Sequence, residues 1–242
     1  PTGPFDVFLS YARDDNHRAD PRLGWVTALH QFIQNTARLP GGTPPRVFFD
    51  TADIRDYDDW RHRILAALRH SKVLLVCLSP NYFNSNNCRW EWEHFLKRQG
   101  PHARGEGETI QSVRFVELPT SVAEQNRAWL DSVRRGNTID LKPWFEQGAV
   151  ALQQEEKAQA EAHRAVEALL QRIRFARREL AREYGNLRAA NEHFVGRVAQ
   201  LRQLHEAVGV GRTGVITAVH GLGGIGKTEL AVQYANDYAR SF

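Results

Sequence analysis

The sequence predicts an α/β fold that contains a doubly wound sheet of five parallel strands, followed by a long amphipathic helix and a shorter P-loop segment. Five short apolar runs alternate with segments whose apolar residues recur at helical spacing, and this alternation is typical of βαβ units. Polar residues are rare within the runs, as expected for strands buried on both faces of a parallel sheet. With 242 residues, the chain is long enough for one large domain or one and a half average ones.

The five predicted strands are the apolar runs themselves. They are Asp6–Ser10, Val47–Phe49, Lys72–Leu78, Val113–Leu118 and Thr138–Leu141. Clear breaks separate several of them, at Pro40–Pro45 and at Pro101–Glu108, where Pro and Gly favour turns and loops.

Each segment between the strands is predicted to form a helix from its apolar residues, which in the third helix recur at i, i+3 and i+4. These residues are Val26, Leu29, Phe32 and Ile33; Trp60, Ile64, Leu65 and Leu68; Trp92, Phe95 and Leu96; and Ala128, Trp129 and Leu130 within Val122–Val133. Before the third helix, Ser79-Pro80-Asn81 ends the strand, and a polar loop is expected to reach Cys88, where that helix would begin.

The composition is that of a globular protein, with 42% hydrophobic and 25% charged residues. The net charge of +4 is modest and gives no reason to expect a nucleic-acid partner. No apolar run approaches the ~20 residues of a membrane span, and the first residues do not resemble a signal peptide. Because Cys77 and Cys88 do not suggest a disulfide framework, we expect a cytoplasmic protein. The ten histidines show no ligand spacing, so we expect no structural metal.

A change of composition marks residues 149–190 as a helical linker after a first domain at residues 1–148. The stretch Ala149–Tyr184 contains neither Gly nor Pro, which predicts one helix that ends at Gly185 and spans roughly 50 Å. Its apolar residues recur at spacings near 3.6: Leu152, Val166, Leu169, Leu170, Ile173, Leu180 and Tyr184. That stripe would pack either on the first domain or on a second copy of the chain as a coiled coil. Basic residues crowd its second half: Arg172, Arg174, Arg177, Arg178 and Arg182. A solvated face is favoured over a nucleic-acid patch.

A nucleotide-binding motif follows in residues 191–242. GLGGIGKT at Gly221–Thr228 matches G-x-x-x-x-G-K-[ST] and lies between an apolar run, Val215–Val219, and a predicted helix, Glu229–Ala239. The glycines Gly221, Gly223, Gly224 and Gly226 would let backbone N–H groups face phosphate oxygens. Lys227 would reach the β- and γ-phosphates, and Thr228 would hold Mg²⁺.

The motif Phe194–Arg197, FVGR, followed by this P-loop resembles the opening of STAND-type NTPases of the NB-ARC class. The resemblance implies ATP or ADP with Mg²⁺ as ligand. Since no Walker B carboxylate follows, we expect residues 191–242 to be the incomplete beginning of such a domain. The absence of Met and the start at Pro1 also lead us to expect a piece of a longer protein.

Glu91 is the candidate catalytic residue because it falls near the start of a helix just after the strand Lys72–Leu78. Ligand sites in open α/β sheets form beyond the carboxyl ends of the strands. A carboxylate among Tyr82, Trp90 and Trp92 would be partly desolvated, and its pKa would be raised. On position alone, an acidic residue that merely complements the helix dipole is the favoured interpretation.

Three segments resemble the Toll/interleukin-1 receptor (TIR) domain family. FDVFLSYAR at Phe5–Arg13 resembles its first-strand motif, RVFFDTADIRDYDDW at Arg46–Trp60 its second strand and BB loop, and SPNYFNSNNCRWEWE at Ser79–Glu93 its Cys-to-Glu segment. The order agrees over Phe5–Leu141, which implies a flavodoxin-like fold. In enzymatic TIR domains, the Glu three residues after that Cys is essential for cleaving the nicotinamide–ribose bond of NAD⁺, and here it is Glu91.

The resemblance also implies contacts with NAD⁺ around Glu91. The residues implied are Ser10, Tyr11, Ala12 and Arg13 after the first strand, Asp50, Asp53 and Arg55 at the BB loop, and Tyr82 and Cys88. The guanidinium of Arg13 suits a pyrophosphate. Tyr11 or Tyr82 would stack on a base or on nicotinamide, although each is equally plausible as a rim or core aromatic, and the BB-loop residues are equally plausible as an ordinary hydrophilic loop.

The sequence departs from the enzymatic relatives at two places. Many of them carry Trp immediately before the Cys, where this chain has Asn87, and Pro-Gly in the BB loop, where it has Asp56-Tyr57. In the family, the BB loop helps neighbouring domains to assemble, and the active site is often completed only in the assembly. The resemblance therefore implies self-association through the TIR domain, with a contribution from the long helix left open.

The leading hypothesis is an NAD⁺ nucleosidase that acts as the effector of a bacterial STAND-type antiphage sensor. Oligomerisation would activate it after an unknown trigger is sensed by a C-terminal region outside this chain. The alternative is a TIR scaffold without catalysis. A third interpretation, a P-loop regulator with a receiver domain, is weaker, because Asp50 with Asp14 and Asp15 only loosely imitates a phosphoacceptor site.

Overall fold

The computed structural model describes residues 5–16, 24–50, 57–98, 109–134, 138–183, 199–201, 203–204 and 227–238. Its strands are β1 (Phe5–Ser10), β2 (Val47–Phe48), β3 (Ser71–Leu78), β4 (Ile110–Arg114) and β5 (Thr138–Asp140). Its helices are α1 (Trp25–Thr36), α2 (Tyr57–His70), α3 (Pro80–Asn84), α4 (Asn86–Arg98), α5 (Thr120–Gln125), α6 (Arg127–Arg134), α7 (Ala151–Gln154), α8 (Glu156–Glu183) and α9 (Lys227–Tyr238). Two short 3-10 turns lie at Arg13–Asp15 and Lys142–Gln147.

The five strands form one parallel sheet in the order β2-β1-β3-β4-β5, which confirms the predicted fold class. The chain leaves β1 towards β2 on one side and returns to β3 on the other, so the order reverses between β1 and β3. Parallel sheets of this kind bind ligands at such a switch point, beyond the carboxyl ends of the strands. These ends are Ser10 of β1 and Leu78 of β3, and Ser10 is in register with Val76 of β3.

Helices cover both faces of the sheet. One buried cluster joins the sheet to α1, α7 and α8, and the other joins it to α2, α3, α4 and α6. Every residue of β1 and β3 is buried as a result. The predicted stripe of the Glu91 helix is confirmed, since Phe95 is fully buried and Trp92 and Leu96 pack against the second cluster.

The fourth strand begins earlier than the prediction of Val113–Leu118. It spans Ile110–Arg114, so it also ends before the predicted Leu118. Its residues Gln111 and Ser112 are polar and lie outside the apolar run from which the strand was predicted. Both are fully buried. Gln111 Nε2 donates to the carbonyl of Ser112, and the hydroxyls of Ser112 and Thr138 lie 2.8 Å apart, so the amide nitrogen of Gln111 and the hydroxyl of Ser112 are hydrogen-bonded inside the sheet.

The predicted loop between Ser79 and Cys88 is a helix in the structure. Ser79 accepts the N–H of Tyr82 at 2.9 Å and caps α3, in which Pro80 occupies the first turn, as is common for Ser followed by Pro at a helix start. Helix α4 then begins at Asn86, ahead of the predicted Cys88. The N–H of Cys88 is satisfied by the hydroxyl of Ser85 at 3.2 Å.

The predicted helix Val122–Val133 is two helices, α5 and α6, which are separated at Asn126. The side chain of Asn126 donates to the carbonyl of Val122 at 3.0 Å and thereby competes with the helical backbone bonds. Of the predicted apolar stripe, Trp129 and Leu130 are buried, whereas Ala128 is exposed.

The stretch predicted as one helical linker is also interrupted, at Glu155, whose backbone is extended. Helix α8 packs against α1, β3, β4 and β5. Its small and apolar face is buried in the first cluster: Ala158, Ala162, Ala165, Val166, Leu169 and Ile173. Of the two predicted uses of the stripe, packing on the first domain is confirmed, so α8 is a layer of that domain in the structure.

The last described helix, α9, begins at Lys227 in place of the predicted Glu229. Leu230 and Tyr234 of α9 form a small buried cluster with Leu201, within the helical residues 199–201 and 203–204. The glycines of the P-loop and the run Val215–Val219 lie outside the described residues. Within the described part of the chain, no helix is both long and apolar enough to cross a membrane.

Candidate active site

A cleft of about 280 Å³ opens beyond the carboxyl ends of β1 and β3. Its walls come from the ends of β1 and β2, the adjoining 3-10 turn, α2, and the start of α3 and α4. The lining residues are Phe8, Leu9, Tyr11, Ala12, Arg13, Asp14, Asp50, Ile64, Asn81, Asn84, Ser85, Asn87, Cys88 and Glu91. The cleft therefore combines an apolar floor with acidic, amide and guanidinium groups.

Glu91 lies on the side of α4 that faces the strand ends, and only 7% of it is exposed. Its Oε2 accepts a hydrogen bond of 2.6 Å from the hydroxyl of Ser10. Burial raises the pKa of Glu91 to about 8, although the hydrogen bond from Ser10 opposes that rise. Asp50 raises this pKa further and Arg13 lowers it. The carboxyl group is therefore poised to change its charge when a cation enters the cleft.

Arg13 and Asp50 form the outer rim of the cleft. The guanidinium of Arg13 is half exposed and lies 3.3 Å from Asp50 Oδ2. The hydroxyl of Tyr11 donates to the carbonyl of Asp50 at 2.6 Å and so ties the end of β2 to the end of β1. Burial, followed by the charge of Asp50, raises the pKa of Tyr11 to about 12. Tyr11 is thus a neutral aromatic wall, and Arg13 is a cation accessible to an anionic ligand.

Three amides from α3 and α4 form the wall opposite this rim. Asn81, Asn84 and Asn87 are exposed to the cleft. Asn81 is held by a 2.8 Å hydrogen bond from its amide to the buried carboxylate of Asp15, which also accepts from the hydroxyl of Ser79. Asn87 directly precedes the buried Cys88, so an amide stands where the sequence comparison with enzymatic TIR domains favours Trp.

Trp90 does not replace that missing aromatic. Its ring lies 4.1 Å from the ring of His94 and under the guanidinium of Arg61, and it is absent from the cleft lining. This agrees with the helical position of Trp90, one residue before Glu91 and therefore on a different face of α4.

The structure sorts the predicted site residues into three groups. Tyr11, Ala12, Arg13, Asp50, Cys88 and Glu91 line the cleft. Ser10 and Tyr82 lie behind Glu91. Tyr82 is fully buried against Phe83 and Trp129, so of the two predicted roles it is a core aromatic. Asp53, Arg55 and Asp56 lie outside the described residues, as do the P-loop residues Gly221, Gly223, Gly224 and Gly226.

Sequence reasoning missed the amides Asn81 and Asn84 and the buried acid Asp15. The signal for the amides was the Ser79-Pro80 pair, which is typical of a helix start and which places Asn81 and Asn84 three residues apart on one helical face.

Thr228, the predicted Mg²⁺ ligand, is exposed at the start of α9. Among the side chains that the structure describes, no group of three or more His, Cys, Asp or Glu could hold a metal ion.

Comparison with protein-family models places the sheet in a known family. Residues 7–149 match the TIR domain family, a range that includes most of β1, all of the other four strands, and Glu91. A search of curated proteins found no match to the chain. The family match covers more than half of the 242 residues, and the observed all-parallel sheet is consistent with it. This chain belongs to the TIR domain family.

Proposed function

We propose that this TIR domain is an NAD⁺ nucleosidase, which cleaves NAD⁺ into nicotinamide and ADP-ribose or a cyclic form of ADP-ribose. The observation that carries the proposal is Glu91, a carboxyl group that is almost fully buried yet lines a cleft at the switch point of the sheet. Buried carboxyl groups with strongly shifted pKa values are concentrated at functional sites.

The proposed role of Glu91 follows from the charge that develops in the reaction. As neutral nicotinamide leaves with the bonding electron pair, the ribose takes on oxocarbenium character. A carboxylate beside the ribose stabilises that positive charge and binds the hydroxyls, as carboxylates do in glycoside hydrolysis. Water then adds to the anomeric carbon and loses a proton, which gives ADP-ribose. Capture by an atom of the same ADP-ribose gives a cyclic form.

The charge state of Glu91 fits a cationic substrate. With a pKa of about 8, most of the carboxyl groups are protonated in the empty cleft at pH 7. The pyridinium of NAD⁺ would favour the ionised form, because a nearby opposite charge lowers the pKa of a carboxyl group. The substrate would thus create the carboxylate that the reaction needs.

The size and rim of the cleft indicate which half of NAD⁺ it would accept. Its 280 Å³ lies just below the usual range of ~300–1,000 Å³ for small-molecule sites, so it suits the nicotinamide riboside half. The half-exposed guanidinium of Arg13 at the rim suits the pyrophosphate. The adenosine half would then extend past the rim.

We further propose that the domain is the effector of a cytoplasmic STAND-type antiphage sensor. The support is the motif Gly221–Thr228, which is expected to bind ATP or ADP with Mg²⁺, and the resemblance that FVGR shares with NB-ARC proteins. In this proposal, a region beyond residue 242 senses the trigger, nucleotide-driven oligomerisation clusters the TIR domains, and clustering activates them.

The test is nicotinamide release from NAD⁺ by the wild-type chain, Glu91→Gln and Glu93→Gln, each measured in dilute solution and after clustering on a surface. Glu93 is a matched control because it lies two residues along α4, where it pairs with Arg89 at the surface. We expect clustered Glu91→Gln to lose at least 10²-fold in rate, since removal of one electrostatic group costs roughly 10²–10³. Glu93→Gln should keep the wild-type rate. Equal rates for clustered wild type and Glu91→Gln would refute the proposal.

A scaffold that recruits other TIR domains without catalysis is the second candidate. Asn87 favours it, because an amide replaces the aromatic that the enzymatic relatives present to substrate. The same experiment separates the two functions. A clustered wild-type chain that releases no nicotinamide between pH 6 and pH 9 would support the scaffold.

A further inference from the structure

Two buried hydroxyl groups stand directly behind Glu91. The hydroxyl of Ser10, the last residue of β1, donates to Glu91 Oε2 at 2.6 Å and lies 3.2 Å from the hydroxyl of Tyr82 on α3. Ser10 is 1% exposed and Tyr82 is 0% exposed. Neither residue lines the cleft. The three side chains therefore form a hydrogen-bonded series that runs from the core to the cleft.

The fold fixes this series from both ends. Ser10 is paired with Val76 in the β1–β3 ladder, and the Ser79 cap on the N–H of Tyr82 sets the start of α3. The ring of Tyr82 is held against Trp129 at 5.4 Å between centroids. A buried hydroxyl is unfavourable unless it is hydrogen-bonded. Ser10 and Tyr82 therefore satisfy each other, and Ser10 satisfies Glu91.

The direction of the hydrogen bonds follows from the donors available. An ionised Glu91 only accepts, so Ser10 must donate to it, and the lone pair of Ser10 is left to accept from Tyr82. Hydrogen bonds arranged in series strengthen one another. Tyr82 stays neutral, because burial raises its pKa well above 10. No hydrogen bond between Glu91 Oε1 and another residue is found in the described part of the chain, which leaves that oxygen for a ligand.

We propose that Ser10 and Tyr82 are positioning residues that hold Glu91 in one orientation and favour its ionised form, with Oε1 directed to the substrate. This inference rests on the proposed function insofar as Glu91 is the catalytic residue. It also changes the role expected of Ser10, from a contact with NAD⁺ to a contact with the residue that acts on NAD⁺.

Other charged and titratable groups also face Glu91. From the rim, the carboxylate of Asp50 disfavours the ionised form of Glu91 and the guanidinium of Arg13 favours it. From α4, the thiol of Cys88 is neutral because burial raises its pKa. Arg13 is half exposed and is therefore screened by solvent. Ser10 is the group in direct contact with the carboxylate.

The test is a pH titration of the Glu91 side chain. Carbon-13 NMR monitors it on protein labelled at the glutamate carboxyl carbons. Glu91→Gln identifies the signal. The variants are Ser10→Ala and Tyr82→Phe, and the matched control is Ser112→Ala, a fully buried serine of the same sheet whose hydroxyl bonds to Thr138. We expect Ser10→Ala to raise the titration midpoint of Glu91 by about 1 pH unit, since the ionised form loses a charge-assisted hydrogen bond. Tyr82→Phe should raise it by less, and Ser112→Ala should not move it.

Kinetics of the clustered protein give the second readout. Ser10→Ala should lower kcat by about 10-fold with little change in KM. The value of kcat/KM should rise with pH as Glu91 ionises, and Ser10→Ala should shift the midpoint of that rise by as many pH units as it shifts the NMR midpoint. An unmoved midpoint in Ser10→Ala, or an equal shift in Ser112→Ala, would overturn the proposal. If the midpoint shifts as expected while the wild type releases no nicotinamide, the positioning role stands and the proposed function fails.

Discussion

At the scale of single residues, the buried carboxyl group of Glu91 lowers the stability of the protein when it ionises. Burial raises the pKa of Glu91 from an ordinary 4.5 to about 8. The folded protein therefore binds this proton more tightly than the unfolded chain does. The contribution of protonated Glu91 to the free energy of unfolding is fully present below the pKa of Glu91 in the unfolded chain. It is lost as the pH rises through the pKa of Glu91 in the folded protein.

Replacing Glu91 by Gln should therefore stabilise the protein, and more so at alkaline pH. A shift from 4.5 to about 8, at ~1.36 kcal/mol per pH unit, predicts a gain in the free energy of unfolding on the order of 4 kcal/mol at pH 8 and less than ~1 kcal/mol at pH 5. Gln still accepts the hydrogen bond from Ser10. The measurement is urea unfolding at both pH values. A gain that does not depend on pH, or one that Glu93→Gln reproduces, would contradict this explanation.

The amide wall of the cleft gives a second prediction at this scale. Asn87→Trp would restore an aromatic surface where the structure has an exposed amide. If nicotinamide stacks there, KM for NAD⁺ should fall about 2- to 10-fold, because an aromatic pair adds ~0.5–1.5 kcal/mol beyond its buried area. Asn86→Trp is the matched control, since Asn86 is exposed on the same helix and does not line the cleft. Equal effects of the two substitutions would indicate non-specific binding.

At the scale of elements, the sequence was most informative where local pattern and burial agree. The strands β1 and β3 are apolar along their length, and both were predicted within one residue of their observed ends. The start of β4 was missed because Gln111 and Ser112 are polar residues that find their hydrogen bonds inside the sheet. The local pattern shows polarity, whereas only the tertiary structure shows whether a polar group is satisfied.

The candidate site was predictable to a similar extent. The position of Glu91 after a strand and near the start of a helix made it a candidate, but the resemblance to TIR domains was needed to favour it. The rim residues Tyr11, Arg13 and Asp50 were named from that resemblance alone. The hydrogen bond between Ser10 and Glu91 spans 81 positions of sequence. It depends on the register of β1 with β3 and on the cap of α3, which no short motif determines.

Helix α8 shows what amphipathicity alone leaves open. An apolar stripe on a long helix suits a coiled coil as well as a sheet, and here it covers the face formed by β3, β4 and β5. Alanines at Ala158, Ala162 and Ala165 let the helix lie close to the sheet. The larger side chains Leu169 and Ile173 fill the next turns. The helix therefore completes the hydrophobic core.

Truncation of this stripe should destabilise the domain. Ile173 is fully buried, so Ile173→Ala should lower the free energy of unfolding by about 2–5 kcal/mol, the range for large-to-small core substitutions. Gln171→Ala is the control, because Gln171 is exposed on the same helix, and surface substitutions usually stay within ~0.5 kcal/mol. Thermal and urea unfolding would measure both. A near-neutral Ile173→Ala would mean that α8 is detached from the sheet in solution.

At the scale of the whole molecule, a buried charge network joins four distant segments at the amino end of the sheet. Lys72 of β3 lies 3.2 Å from Asp6 of β1 and 3.4 Å from Asp237 of α9, while Arg177 of α8 lies 3.0 Å from Asp6. Burial alone would raise the pKa of Asp6, but Lys72, Arg177 and the backbone N–H of Arg46 together hold it well below its usual range.

The network makes stability depend on acid in a definite direction. Because the pKa of Asp6 is lower in the folded protein than in the unfolded chain, its contribution is present above the unfolded value of 3.8 and is lost as the pH falls through the folded value. This is the opposite of Glu91, whose contribution is lost as the pH rises. The protein should consequently be most stable in the weakly acidic range, above the unfolded pKa of Asp6 and below the folded pKa of Glu91.

Removal of the central cation should loosen the whole arrangement. Lys72→Met would leave Asp6 paired with Arg177 alone and Asp237 without its partner Lys72, and breaking a buried pair in this way costs about 3–5 kcal/mol. Hydrogen exchange should rise in α9 and at the start of β1. Lys142→Met is the matched control, because Lys142 pairs with the largely exposed Glu117, and solvent screens such surface pairs so that they contribute little to stability. If Lys72→Met costs no more than Lys142→Met and α9 exchanges unchanged, then apolar contacts such as those of Leu230 and Tyr234 hold α9 in place, and the charges only accompany them.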